Sequence, residues 1–425
     1  MRSMIFRSTG STEESLTSTP QSETTARDNR ANLSVLGATA FLRGANTSAY
    51  NVIWQPFVLS LGASMPTLGL LNSLGGLNGI ITTLVQPFGG WLADRRGRKP
   101  IIIIASVTII FAYALFWFAG ALNLWLFLLL GVMALGASWL SFPARNSMTA
   151  ESVQARHGSA FSAILVAGML PGIIVPTLAG LMADHLGYVS VFPVAVVLEA
   201  IGWWLVWRYM RETRASDRQS IHWREPLRVM VRSIVPPAGL TGFFCAVAGD
   251  AFFWGIGWGI LYGMLTETYH FSAADLGVMA SVMSLAWALM QMPVGRYIDR
   301  SNVKGLMILS EALGVPLMII WMTQTRVEMF AAAQVIFAAT AATWSPTIST
   351  FLTRRVSAEE RAEAFGRLYM FRGLVAFPAP TIGGFLYTWG GMLAPLIANL
   401  VGILIVIAIL VLFVREPGNS KPSEQ

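Results

Sequence analysis

The chain has 425 residues, of which 55% are hydrophobic and only 12% charged, and its mean hydropathy is +0.60. Soluble proteins carry about a quarter charged residues, so this composition excludes an ordinary water-soluble domain and implies a polytopic membrane protein. A net charge of +7 would suggest nucleic acid in a soluble chain. Here the basic residues lie between apolar spans, so membrane topology accounts for them and no nucleic-acid partner is expected. The single cysteine, Cys245, lies in an apolar run and has no second cysteine for an internal disulfide.

In chain order, residues 1–32 are rich in Ser and Thr with charges of both signs and read as a disordered tail. Twelve apolar spans follow, near 33–60, 67–91, 100–120, 123–144, 158–183, 188–207, 237–263, 273–296, 303–323, 328–352, 363–387 and 391–414. Each is long enough to cross a hydrocarbon core of about 30 Å at 1.5 Å per residue. The connections alternate in character. One set carries Arg95, Arg96, Arg98 and Lys99; Arg145 and Arg156; an Arg-rich linker over 208–236; Arg296, Arg300 and Lys304; and Arg354, Arg355 and Arg361. The opposite set carries Arg326. This asymmetry places the basic connections and both termini, including a short tail at 415–425, on the cytoplasmic side.

The chain also repeats itself. Pro176-Thr-Leu-Ala-Gly180 matches Pro380-Thr-Ile-Gly-Gly384, 380 − 176 = 204 residues on. Trp54 and Trp258 match at the same spacing, as do Asn46 and Asp250, and Asp94-Arg95 matches Asp299-Arg300 at 299 − 94 = 205. The expected fold class is therefore an all-α membrane protein with twelve transmembrane helices in two pseudo-symmetric six-helix halves, 33–207 and 237–414. Halves with an even number of spans share one orientation and are related by an axis along the membrane normal.

Between the second and third spans the chain reads Gly90-Trp-Leu-Ala-Asp94-Arg95-Arg-Gly97-Arg98-Lys99. This short charged hairpin resembles the signature of the major facilitator superfamily of secondary transporters. The second copy keeps Gly295, Asp299 and Arg300 but lacks the second glycine. Gly172-x-x-x-Pro176-x-x-x-Gly180 is similar to the fifth-helix Gly/Pro motif of drug–proton antiporters, although small residues at this spacing also serve plain helix packing. The resemblance implies a conformational latch of Gly90, Asp94, Arg95, Gly97, Arg98, Glu151, Asp299 and Arg300. In it Gly90 would press the second helix against the eleventh, and Asp94 would reach that helix's N-terminus. Gly172, Pro176, Gly180, Pro380 and Gly384 would be packing positions.

Charges at membrane depth are functional candidates by default. Arg43 and Asp250 both fall near mid-membrane in the symmetry-related first and seventh spans. Asp250 is the first candidate for a proton site or a cationic-substrate contact. Arg43 is its expected ion-pair partner, or else an anion site. Asn46 and Arg372, together with the aromatic residues Trp54, Phe253 and Trp258, complete the expected pathway, while Glu199 and Glu311 fall in spans expected to be peripheral and structural. An aromatic, Met-rich wall around few charges suits a lipophilic substrate better than a sugar.

No Gly-x-x-x-x-Gly-Lys-[Ser/Thr] loop, metal-spaced His pair or nucleophile–base constellation is present in the sequence. The expectation is thus a transporter and not an enzyme, with no cofactor beyond a proton or other ion gradient. It should be a monomer in the plasma membrane, the inner membrane if bacterial, whose partners are the lipid bilayer and a small-molecule substrate. Three readings of its activity remain open at this point. They are export of a lipophilic molecule by proton antiport, uptake of an organic anion held by Arg43, and a lipid or lysolipid flippase. A receptor or enzyme on a transporter-like scaffold is the reading from a different class.

Overall fold

The computed structural model describes residues 20–153, 157–213, 227–228, 230–231, 234–298, 302–357 and 360–415. Its helices are α1 (Pro20–Ser60), α2 (Met65–Arg96), α3 (Arg98–Leu122), α4 (Trp125–Glu151), α5 (Ala160–Leu186) and α6 (Tyr188–Tyr209). They continue with α7 (Thr241–Tyr269), α8 (Ala273–Ile298), α9 (Val303–Thr323), α10 (Val327–Thr353), α11 (Arg361–Ala376 continued by Ala379–Gly390) and α12 (Leu393–Phe413). Ten of these segments are long and apolar enough to cross a bilayer; α1 and α11 are more polar. Among the described residues there is no strand.

Local chemistry sets the ends. Ser64 accepts the Thr67 amide and Pro66 occupies the first turn, which starts α2. Asn123 and His270 adopt left-handed conformations that end α3 and α7. Asn302 caps α9 by accepting the Gly305 amide at 2.6 Å. Gly97, at φ +94°, turns α2 directly into α3.

Two expectations change. The first helix begins at Pro20, so residues 20–32 are helical and not part of a disordered tail. This extension is tied down, because Asn32 accepts the Arg211 amide at 2.7 Å and donates to the Arg211 carbonyl at 3.1 Å. Several spans are also broken rods. α2 is interrupted at Gly76–Gly79, and α4, α5 and α7 contain 3₁₀ turns at Ser138–Ser141, Leu170–Ile173 and Trp258–Ile260.

At the end remote from the basic connections, one hydrophobic core spans both halves, joining Val58 and Leu68 to Leu261, Met264 and Leu265. Toward the basic connections each half has its own core, around Leu36, Ile101 and Met148 in one and Phe243, Phe351 and Leu410 in the other. The halves are thus sealed at one end and diverge at the other. Two matching seams make the seal. In one, α2 meets α11, with Gly69 over the Pro380 carbonyl and Gly384 over the Met65 carbonyl; in the other, α5 meets α8, with Gly180 over the Ala273 carbonyl and Gly277 over the Pro176 carbonyl. A Cβ at any of these glycines would strike the facing backbone. Hydroxyl pairs bridge each seam, Ser73 with Thr381 at 2.7 Å and Thr177 with Ser281 at 2.8 Å. Gly172 belongs to the same α5–α8 seam, where a Cβ would meet the Ser284 hydroxyl.

Gly384→Leu should therefore destabilise the fold by about 1–3 kcal/mol, the usual cost of overpacking. Gly366→Leu in the same helix, where a Cβ meets open space, should leave thermal unfolding in detergent nearly unchanged.

Candidate functional site

Each half buries a charged cluster. In the first, Arg43 Nη2 donates to Glu199 Oε1 at 2.7 Å and to Ser106 Oγ at 3.3 Å. Arg145 stands beside this pair and donates to Thr39 Oγ1 at 3.2 Å. Arg145, expected in a connection, lies within α4, and Glu199 on α6 is a partner in the membrane core. The expected Arg43–Asp250 pair is not formed, because the helical rotation of α1 turns Arg43 toward α3 and α6. Asn46, one turn further on, faces the same way and donates to the Ala195 carbonyl at 3.2 Å. It is buried there and is not part of the cavity wall.

The second cluster lies in α7–α11. Asp250 and Glu311 are neighbours, both almost wholly buried, with Arg372 and Trp344 beside Asp250. Glu311 Oε2 and Arg372 Nε lack hydrogen-bond partners. All four residues line a cavity of about 410 Å³. This is a volume suited to a drug-sized molecule. Trp54, Trp254, Trp258, Tyr262 and Phe337 supply its aromatic wall. Asp250, Trp254 and Trp258 recur every four residues and share one face of α7. Phe253 falls off that face and packs against Gly402 of α12, so it does not line the cavity as expected; Trp254 does. Glu311, read from the sequence as peripheral, is a cavity residue. Arg372, expected in the pathway, lines the cavity as well.

The signature segment forms a compact network at the basic end. Arg98 is buried and is ion-paired with Asp94 and, at 3.0 Å, with Glu151. Arg95 lies over the Trp91 ring at 4.9 Å. Gly90 faces Pro143 of α4, and not α11 as expected; the tight approach to α4 is made by the adjacent Gly89 over Leu140. Glu212 is a participant that sequence reasoning missed. Its carboxylate accepts the Arg98 and Lys99 amides at 2.9 and 3.1 Å, capping α3. Lys99 Nζ in turn donates to the carbonyls of Trp207 and Met210 at the end of α6. A carboxylate just after an apolar span and near a basic turn was the available signal. Asp299 and Arg300 lie outside the described residues, as does most of the 208–236 linker.

The model of the Major Facilitator Superfamily matches residues 36–255 and 243–425. The chain is 26% identical over 367 residues to the multidrug resistance protein MdtG of Salmonella typhimurium, covering 83% of this chain and 87% of the relative. The protein of the same name from Salmonella typhi aligns equally well, at the same identity and coverage. Among solved structures, the human organic anion transporter MFSD10 aligns over 90% of this chain and 99% of its own, at a TM-score of 0.62 and 16% identity. The nucleoside transporter NupG aligns over 90% and 98%, at 0.69 and 14%. A POT family transporter in complex with a thioalcohol-conjugated peptide aligns over 89% and 95%, at 0.72 and 14%. At these identities the structures show a shared fold.

Glu199→Gln should leave two neighbouring arginines without their carboxylate. Breaking a buried pair costs about 3–5 kcal/mol, and because Arg43 is about a quarter exposed a loss on the order of 2 kcal/mol is expected. Thermal unfolding of the purified protein measures it, and Arg43→Met combined with Glu199→Leu should recover part of the loss.

Proposed function

Because the chain belongs to the Major Facilitator Superfamily of transporters, we propose that it exports a small lipophilic molecule, preferentially one with a single positive charge, in exchange for protons. The observation that carries this reading is the Asp250–Glu311–Arg372 cluster in the wall of an aromatic cavity. Two carboxylates against one guanidinium leave one negative charge to be neutralised in a low-dielectric site. One proton neutralises it, and so does one cationic nitrogen lying among the indole rings. Proton and cargo then compete for one place, and that competition couples their opposite movements. The "multidrug resistance" name of the relatives is in keeping with a drug-like cargo.

In this reading the basic connections and both termini face the cytoplasm, by the positive-inside rule. The diverging end is then cytoplasmic, and the conformation is the one that loads cargo for export. Two six-helix halves joined by the 208–236 linker would rock about the cavity. The signature network of Asp94, Arg98, Glu151 and Glu212 would be remade as the cytoplasmic end closes. One chain supplies the whole cavity, so the transport unit is proposed to be a monomer, in the plasma membrane or, in a bacterium, the inner membrane. Uptake of an organic anion on Arg43 is the weaker reading, because Arg43 is already paired with Glu199 at 2.7 Å.

In proteoliposomes with an imposed pH gradient, Asp250→Asn and Glu311→Gln should each reduce driven movement of a lipophilic cation such as tetraphenylphosphonium to the level of protein-free liposomes. Full gradient-driven transport by both variants would refute the proton assignment.

A further inference from the structure

The sealed end of the cavity is held by polar contacts that the exchange scheme does not use. At Trp258–Ile260 α7 passes into a 3₁₀ turn, which takes the Gly259 carbonyl out of the regular helical ladder. Two side-chain amides from the other half occupy it. Gln55 Nε2 donates to the Gly259 carbonyl at 3.2 Å, and Asn72 Nδ2 donates to the same oxygen at 2.9 Å. Gln55 also uses its other end, because its Oε1 accepts the Gly263 amide at 2.8 Å. Asn72 Oδ1 accepts the Trp54 indole N–H at 2.6 Å. Gln55 therefore grips both sides of the break, and Asn72 links it to an aromatic ring of the cavity wall.

Two further observations give this clasp a role. Gln55 and Gly259 are 259 − 55 = 204 residues apart, the spacing that relates the two halves. Two equivalent positions that touch must lie close to the pseudo-two-fold axis, at the meeting of the two halves. On one side of the clasp is the cavity, and Gln55, Asn72, Trp54 and Gly259 are all in its wall. On the other side is the apolar plug, where Leu68 of α2 packs directly on Gly263 of α7.

We propose that Gln55 and Asn72 are the lock of the sealed gate, placed so that cargo in the cavity reaches the amides that hold it. An amide that turns to a bound molecule leaves the Gly259 carbonyl, and the α7 break is then free to swing from α1 and α2. This goes beyond the exchange scheme and does not depend on which cation is carried.

The test uses full-length protein carrying Cys245→Ser, because Cys245 is exposed, with Leu68→Cys as a reporter in the plug and Ala93→Cys as a reporter in the core at the basic end. Both reporter positions are fully buried. Modification by a charged maleimide is followed in detergent. Gln55→Leu and Asn72→Leu should each speed modification at position 68 at least about fivefold, since each removes two buried hydrogen bonds and the loss of one is worth about fivefold, and the double variant should speed it more, with position 93 unchanged. An unchanged rate at position 68 would overturn the proposal. A parallel rise at both positions would overturn it too, because it would mean general loosening of the fold. Gln55→Glu, which keeps the acceptor for Gly263 and loses the donor to Gly259, should give an intermediate rate at position 68. A rate at the parent level would count against the donor contact as part of the lock.

Discussion

An ionised side chain persists in a bilayer only beside an opposite charge, a hydrogen-bonding partner or water. The interior of this chain is arranged around two clusters in which the charges are close but unequal in number. Arg43 and Arg145 stand with Glu199 in the first half, and Asp250 and Glu311 stand with Arg372 in the second. The first cluster ties α1, α3, α4 and α6 together through direct bonds and so makes that half a unit. The second faces open volume. The same constraint therefore yields a brace in one half and, in our reading, an exchange site in the other.

The way the halves meet follows from a different term. Helices in a membrane gain little from burying apolar surface, so they associate by close packing and by bonds between small polar side chains. Gly69, Gly180, Gly277 and Gly384 allow backbone contact, and the Ser73–Thr381 and Thr177–Ser281 hydroxyl pairs add direction. These contacts lie beside the hydrophobic core that spans both halves at the sealed end. At the basic end each half has its own separate core.

Much of the architecture was legible in the sequence. Apolar length marked the spans, and the 204-residue repeat and the Gly90–Lys99 signature were visible as residues. The azimuth of each helix was not legible. Spans apolar on every side carry little periodic signal to say which face turns inward, so depth alone suggested that Arg43 meets Asp250. The structure rotates Arg43 and Asn46 toward α6, and Phe253 toward α12. The inward position of Glu199 and Glu311 was not legible for a related reason, since a helix placed at the periphery still has one inward face. Contacts such as those of Glu212, Gln55 and Asn72 depend on where breaks and helix ends fall, and these are set by three-dimensional packing of Gly and Pro sites and not by local pattern.

In our reading, proton and cargo compete for the single uncompensated negative charge at Asp250 and Glu311. The most direct measurement is proton release on adding tetraphenylphosphonium to purified protein in weakly buffered detergent solution. Up to about one proton should be released per cation bound, because either charge neutralises the site, with no release from the Asp250→Asn, Glu311→Gln double variant. Saturable binding by the parent protein with no proton released would contradict it.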